Sequence, residues 1–342
     1  MKISSSDIVI VGPLLNNDVV MAEALTYNGF DCVVVRDAVT GRPDARKFPG
    51  PLKHFSLDRV VVVGNSFEFF RICRNARCVI SYSGAVTWLL RYFWFIARIL
   101  GFPPIINVPT GSDITELAVE RSRAGWLYRD MLRCAAFTVI PTYPRALKVL
   151  AKLKLERFTF FKYPYLLPDD LIADPLKTDV GEKIVFLHVS NLDWGASDNK
   201  RGRNSTKGND RFLRAFASAA RAGAPIECHI LDRGPDRFLA RQLVSNLDAE
   251  FAFRWLEPVP SSELTKLLAG ADVVVDQFDV GGFGAISLEA MAVGKPVMMH
   301  VDATCAGLIY KNEPPILNCS SEKQILAMIF GNLDRASLRS LG

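Results

Sequence analysis

The residues best placed to do chemistry in this chain of 342 residues lie between Gly281 and Val297. Gly281-Gly282-Phe283-Gly284 opens a helix that runs through Ala285-Ile286-Ser287-Leu288-Glu289-Ala290-Met291-Ala292-Val293, and Gly294 and Pro296 then lead into a strand, Pro296 to His300. Glu289 is the odd residue. Its helical neighbours three and four positions away are Ala285, Ile286, Ala292 and Val293, so it projects from the apolar stripe that should face inward. A buried carboxylate without a partner is costly or takes up a proton. A ligand rich in hydroxyls, such as a ribose, would supply partners. The glycines let a ligand approach the backbone, and the free N–H groups of a helix start suit sugar oxygens or phosphate. The alternative is that Glu289 pairs with a lysine or caps a neighbouring loop.

A second cluster follows strand Lys183–Val189. The loop from Ser190 to Asp210 carries Lys200, Arg201, Arg203 and Lys207 just ahead of a helix. It leaves the carboxyl end of a strand, where ligands bind in open α/β sheets. Cations there, with helix-start N–H groups, suit a diphosphate. Taken alone the loop would read as a solvated basic segment; combined with the glycine motif it reads as a phosphate site. Asp276, Gln277 and Asp279 stand at another strand end and could reach sugar hydroxyls, although Asp276 could instead cap the glycine-rich helix start. Leu231-Asp232-Arg233-Gly234 marks a further turn at a strand end.

The glycine motif resembles the donor site of GT-B-fold glycosyltransferases, in particular the large retaining family four (glycosyl transferases group 1). There, a Glu-x7-Glu pattern surrounds a Gly-Phe-Gly and continues Glu-Ala-Met-Ala-x-Gly-x-Pro-Val. Glu289-Ala290-Met291-Ala292-Val293-Gly294-Lys295-Pro296-Val297 matches the second half, but Gly281 stands where the first glutamate would be. The resemblance implies that Glu289 contacts the donor ribose and that Gly282, Phe283 and Gly284 form the donor loop. Lys207, in the pair Lys207-Gly208, and Arg203 would be the catalytic cations on the diphosphate, although Asn191 stands where some relatives carry that arginine. Asp279 joins them as a catalytic candidate, and Asp276 as a donor contact. Relatives bind the base near the Asp232 turn and the segment Trp255–Val259, where an ordinary turn is the other reading. They also let the loop after the first strand, here Gly12-Pro13, approach the donor phosphates. Thr110-Gly111-Ser112-Asp113 is similar to the Gly-Ser-Asp of their acceptor domain, with Pro109-Thr110 where a histidine is frequent. Asp113 would bind an acceptor hydroxyl or cap a helix.

The implied reaction is glycosyl transfer from a nucleotide-diphosphate sugar to a glycan or lipid-linked acceptor, with retention. Negative charge grows on the departing diphosphate, and fixed cations lower that barrier. No Asp-x-Asp metal motif is present, so no metal is expected: Lys207 and Arg203 would replace a divalent ion. No cofactor is expected beyond the sugar nucleotide as donor substrate. The missing first glutamate and acceptor-domain histidine leave open a non-catalytic relative, a binding or scaffold subunit of a glycan-assembly complex. A sugar-nucleotide epimerase of the same architecture is a third reading.

These residues need scaffolding, and the chain supplies it by alternating β-branched runs with amphipathic helices. Expected strands in the first half are Asp7–Gly12, Cys32–Arg36, Arg59–Val63, Arg77–Tyr82, Pro104–Val108 and Phe137–Ile140. Helices such as Asp18–Asn28, Val86–Leu100, Gly125–Cys134 and Arg145–Leu153 lie between them. A turn-rich segment from Tyr163 to Gly181 reads as a linker. The alternation then restarts with strands Lys183–Val189, Ile226–Leu231, Phe251–Trp255, Val273–Asp276 and Pro296–His300, and helices Asp210–Arg221, Asp236–Leu247, Ser262–Ala269 and Ser321–Leu333. This predicts an α/β protein of two Rossmann-like, doubly wound domains: residues 1–166 as the acceptor domain and 167–342 as the donor domain. The resemblance implies that they face each other across a cleft, as in GT-B.

Composition adds partners and location. Residues 1–166 hold 22 Lys/Arg against 13 Asp/Glu, whereas residues 167–342 hold 19 against 23. A basic first half favours an anionic partner, such as acidic lipid headgroups or a phosphorylated acceptor. No nucleic-acid recognition motif is present, so nucleic acid is not expected as a partner. Trp88–Leu100 is too short to span a bilayer, which needs about 20 residues; it is either a core helix or one that lies on a membrane. Seven scattered cysteines and four dispersed histidines point to neither a disulfide framework nor a zinc site. A cytoplasmic protein, peripheral at the inner membrane face, is the expectation. No signal peptide is visible, and little of the sequence remains for the relatives' terminal helix that crosses back onto the first domain: either that end is trimmed or the sequence is cut short.

Overall fold

The computed structural model describes residues 7–12, 17–39, 41, 43, 52–82, 94–160, 181–195, 206–312, 314–331 and 334–341. Two parallel sheets organise the chain, which divides into compact units Met1–Leu166 and Leu167–Gly342.

The first sheet has seven strands: β1 (Ile8–Val11), β2 (Cys32–Asp37), β3 (Val60–Val63), β4 (Cys78–Tyr82), β5 (Ile105–Val108), β6 (Phe137–Ile140) and β7 (Phe158–Phe160). Their order is β3-β2-β1-β4-β5-β6-β7. β1 is central, with Ile8 paired to Cys32 on one side and Cys78 on the other. Strands such as β1 (Ile-Val-Ile-Val) are apolar at every position because helices cover both faces. Val9, Val33 and Val79 pack with Phe69, Tyr128 and Met131, while Ile8, Ile10 and Val34 pack with Val19, Met21 and Ala22. Helix starts follow local chemistry. The Asn65 side chain accepts from Glu68 N at 2.9 Å to open Ser66–Cys73, and Pro144 occupies the first turn of Pro144–Leu153, where its missing N–H costs nothing.

The second sheet has six strands: β8 (Ile184–His188), β9 (Ile226–Leu231), β10 (Phe253–Leu256), β11 (Val273–Val275), β12 (Val297–Met299) and β13 (Ile316–Asn318). Their order is β10-β9-β8-β11-β12-β13. Phe186, Ile230, Val273 and Val275 pack against Phe212 and Phe216 of the helix Asn209–Arg221. Leu187, Val189 and Val274 take the other face, with Ile286 and Ala290 of the helix Ala285–Ala292. This alternation is the two-residue period of a strand. In both sheets the strand order reverses once, between β1 and β4 and between β8 and β11. Such reversals open a crevice at the carboxyl ends of the strands.

Two strands go beyond the expectation. β7 and β13 are additional strands of three residues each, at sheet edges. An edge strand pairs on one side only, so a short run such as Phe158-Thr159-Phe160 suffices. The helix expected over Val86–Leu100 is described only at Trp94–Ile99; its earlier residues lie outside the described set, as do most of those read as the linker.

Candidate functional site

Three strand-end loops of the second unit, after β8, β9 and β11, are tied into one frame beside its order reversal. The β8 and β9 loops are zipped together: Leu192 N donates to Arg233 O (2.9 Å) and Asp236 N to Leu192 O (3.0 Å). Gly234, at φ 115°, has Leu192 backbone where a Cβ would stand, so only glycine fits there. The buried Asp236 carboxylate accepts from Trp194 N (2.7 Å) and Gly195 N (3.0 Å). Below them Asn209, the first residue of its helix, donates to His188 Nε2 (2.9 Å) and Ser190 Oγ (3.2 Å) and accepts from Asp193 N (3.0 Å). Burial pushes His188 down to about 3, so the imidazole is neutral and serves as an acceptor.

Lys207 and Gly208 enter this frame from the basic loop. Gly208 caps the helix Asn209–Arg221 at φ 65°. Lys207 Nζ donates to Gln277 Oε1, and Gln277 Nε2 donates to Gly282 O at 2.7 Å. One amide therefore couples the lysine to the glycine loop. Behind the lysine, Asp279 accepts from Thr206 Oγ1 (2.9 Å) and from Arg211 Nη2 (2.5 Å). Arg211 Nη1 also donates to Ser320 O (2.9 Å). A Cβ on Gly208 would come within 3.0 Å of the Asp279 carboxyl. Both Asp279 oxygens are thus engaged in bracing the Thr206–Gly208 turn, which is a positioning geometry.

Asp276 is buried at the end of β11. It accepts from Ser287 Oγ and from the Gly284 N–H at the start of the glycine-loop helix, the capping role open to it in the sequence. Burial raises its carboxyl, against the pull of Lys207, Ser287, Gly284 and Arg233. Glu289 projects from the same helix and is half-buried. No hydrogen bond to its carboxylate is found among the described residues. Burial pushes it up to about 7, with the Arg233 guanidinium pulling the other way. Arg233 is itself anchored on Val189 O through Nε (3.0 Å) and Nη2 (2.6 Å). Burial lowers it, while Glu289 and Asp276 oppose that shift. The result is a mixed-charge cluster of Lys207, Arg233, Asp276 and Glu289 next to the N-terminus of a helix. It can take the hydroxyls of a sugar on a carboxylate and a phosphate on cations and helix N–H groups.

The other sequence candidates sit as follows. Gly282 accepts from Gln277, as above. Phe283 is half-buried and packs edge-on against Tyr310, centroids 5.1 Å apart. Asp232 pairs with Arg241 at 2.7 Å, and that guanidinium lies 4.5 Å above the Trp255 ring. Arg203 lies outside the described residues. Gly12 and Asp113 belong to the first unit. Gly12 ends β1 at φ 107°, a conformation that favours glycine. Asp113 is buried, accepting from Thr110 N (3.0 Å), Gly111 N (2.9 Å) and Tyr128 OH (2.9 Å), so it braces its own turn. Arg233, Arg211 and Thr206 were not singled out by sequence. The one available signal was position: Arg233 adjoins a strand-end glycine, and Arg211 lies four residues after Lys207, one helical turn on.

Comparisons with known proteins bear on family and fold. Residues 201–317 match the family Glycosyl transferases group 1, a span that contains Lys207, Arg233, Asp276 and Glu289. The whole chain is similar in structure to HepE of Anabaena, solved in complex with UDP and glucose, at 14% identity, covering 98% of this chain and 92% of that one with a TM-score of 0.65. It is similar to sucrose-phosphate synthase from Thermosynechococcus elongatus at 14% identity, covering 98% and 91% with a TM-score of 0.63. It is also similar to the lipopolysaccharide outer core galactosyltransferase WaaB at 12% identity, covering 98% and 94% with a TM-score of 0.58. At these identities the likeness is one of fold: two parallel-sheet α/β domains matching GT-B glycosyltransferases. No curated protein matches by sequence.

Proposed function

We propose that this protein is a glycosyltransferase that moves a sugar from a nucleotide-diphosphate sugar to a glycan or lipid-linked acceptor. The observation that carries the reading is Glu289, a half-buried carboxylate with no hydrogen bond among the described residues, set beside Arg233, which also acts on Asp276, the carboxylate that neighbours Lys207, in the span that matches glycosyl transferases group 1. Glu289 accepts from the ribose hydroxyls. The Gly282–Gly284 loop and the helix start behind it receive the diphosphate or sugar. Lys207, held by Gln277, meets the charge that grows on the leaving diphosphate as the glycosidic bond breaks, a stabilisation made in advance by a fixed cation. Asp279 holds that lysine from behind. We assign retention of configuration, no resident cofactor and no metal to this reaction, with Lys207 and Arg203 supplying positive charge. We also place the protein in the cytoplasm, in polysaccharide or glycolipid synthesis, with peripheral membrane contact through its basic first unit. No helix among the described residues is long and apolar enough to cross a membrane.

Calorimetry with UDP, GDP, ADP and TDP, with and without EDTA, tests the donor site. One diphosphate should bind tightly and indifferently to EDTA; UDP is the first to try, since HepE was solved with it. Binding by none of the four would sink the reading. A second reading, a subunit that binds sugar nucleotide without turning it over, is favoured by Gly281, which stands where the family pattern has its first glutamate. Sugar release or transfer from the bound donor separates the two: binding without turnover supports the second.

A further inference from the structure

Large apolar side chains in solvent gather on one rim of the first unit. Phe95, Ile96 and Ile99 on the helix Trp94–Ile99, Leu100 after it, and Trp126 on the helix Arg123–Cys134 are 47%, 49%, 84%, 59% and 49% exposed. The Phe95 and Trp126 rings lie 5.6 Å apart, which joins the two helices into one patch. Ile96 and Leu100, and Phe95 and Ile99, are spaced one helical turn apart, so the exposed residues form a continuous face. Single exposed apolar residues need no explanation, but a contiguous set marks an interaction site.

The charges around the patch select its occupant. Arg123, Trp126 and Arg133 recur at three and seven residues, on one face of their helix, and both arginines are exposed; Arg121 is exposed just before them. Glu120 is exposed as well, and Asp130, on the same face, is half-buried and already engaged. Among the described residues, Arg121 and Arg133, with Arg123 exposed but already engaged like Asp130, thus stand beside one exposed carboxylate, Glu120, in the half of the chain with 22 Lys/Arg against 13 Asp/Glu. A second copy of the chain would bring these arginines against one another. A polynucleotide offers nothing to Ile99 and Leu100. An acidic lipid surface satisfies both features, because aliphatic and aromatic side chains enter the headgroup–acyl boundary while arginines meet headgroup phosphates.

We propose that the rim built by Phe95, Ile96, Ile99, Leu100 and Trp126, flanked by Arg121, Arg123 and Arg133, docks the protein on an anionic lipid surface. It names the surface for the membrane contact of the previous section and uses no residue of the second unit, so it stands or falls apart from the donor site. The test is co-sedimentation of the full chain with phosphatidylcholine vesicles and with equimolar phosphatidylcholine–phosphatidylglycerol vesicles. Binding is expected only to the mixed vesicles and should weaken as salt rises. Arg121→Gln and Arg133→Gln should each weaken it about fivefold. The double variant Ile99→Ser/Leu100→Ser should weaken it more than about tenfold. All of these are exposed positions, and an unchanged thermal denaturation profile reports that the variants are folded. Absence of binding to the mixed vesicles, equal binding to both kinds, or binding untouched by the variants would each overturn the proposal. So would a wild-type dimer, seen by ultracentrifugation, that the Ile99/Leu100 variant abolishes, since the rim would then be covered by a second copy. Vesicle binding without nucleotide binding in the wild type would count against the donor site and leave the rim in place.

Discussion

Both units bury carboxylates against a parallel sheet and saturate most of them, but the second, beside its saturated Asp236 and Asp276, keeps Glu289 without a hydrogen bond among the described residues. In the first unit Asp18, Glu23 and Asp113 are saturated by the protein. Asp18 takes Nε and Nη2 of Arg36, each at 2.8 Å, in a pair almost fully removed from solvent. Glu23 accepts from the N–H groups of Lys53 (2.9 Å), His54 (3.0 Å) and Phe55 (2.7 Å). Asp113 has two backbone N–H groups and a tyrosine hydroxyl. In the second unit Glu289 has only the electrostatic company of Arg233. Buried polar groups are normally satisfied, and the exceptions ask for an explanation. Saturation marks the carboxylates that close the fold; a carboxylate without hydrogen bonds among the described residues marks the one kept for a ligand.

Arg36→Met leaves Asp18 buried without its partner and should destabilise the first unit by about 3–5 kcal/mol, read as a lowered denaturation midpoint. A change under about 1 kcal/mol, the range of a surface pair, would show that saturation is not what these carboxylates are for. The second unit should respond the other way, in activity and not in stability. Lys207→Ala should cost about 2–4 kcal/mol of transition-state stabilisation with an unchanged melting temperature, and an unchanged turnover number would remove Lys207 from the site. Asp279→Asn and Arg211→Met act through the lysine, so their effect should be smaller, about tenfold in turnover, or roughly 1.4 kcal/mol. Nucleotide affinity should change less than turnover, and Arg211→Lys should restore part of the loss. Equal losses in affinity and turnover would make the brace merely structural.

Much of this was legible in the chain. Continuous runs such as Ile8-Val9-Ile10-Val11 announce strands covered on both faces, and the apolar helical stripe interrupted by Glu289 announced a carboxylate in the wrong place for a core. Three things were not legible. The edge strands β7 and β13 are three residues long, shorter than any period can show. The role of Arg233 depends on β9 and β11 flanking β8, a neighbourhood set by strand order across more than fifty residues of chain between Arg233 and Glu289. The engagement of Asp279, in the loop after β11, depends on Arg211 reaching across from the helix Asn209–Arg221, and no local spacing encodes that. Sequence identified residue types at strand ends; which of them already have partners is a property of the packed sheet.

The smallest effect is the sharpest test, because it runs against ordinary expectation. Burial raises the Glu289 carboxyl from 4.5 to about 7 in the folded protein. The folded protein therefore keeps a proton that the unfolded chain has released. Its stability falls as pH rises from about 4.5 towards 7, and the full penalty stands above that window. Glu289→Gln cannot ionise, so the variant should melt higher than wild type near pH 8, and the gain should vanish as pH falls to about 4.5. The same substitution should weaken nucleotide binding, because an ionised carboxylate accepts from a ribose diol more strongly than an amide does. In the wild type, ribonucleotide affinity should rise as pH passes upward through about 7, while 2′-deoxyribonucleotide affinity changes less. A glutamate that served the fold would give the opposite pair of results: a lower melting point on substitution, and no discrimination between ribose and deoxyribose at any pH. Stabilisation on loss of a side chain, coupled to loss of ligand, is the signature of a group held in place for binding at the expense of stability.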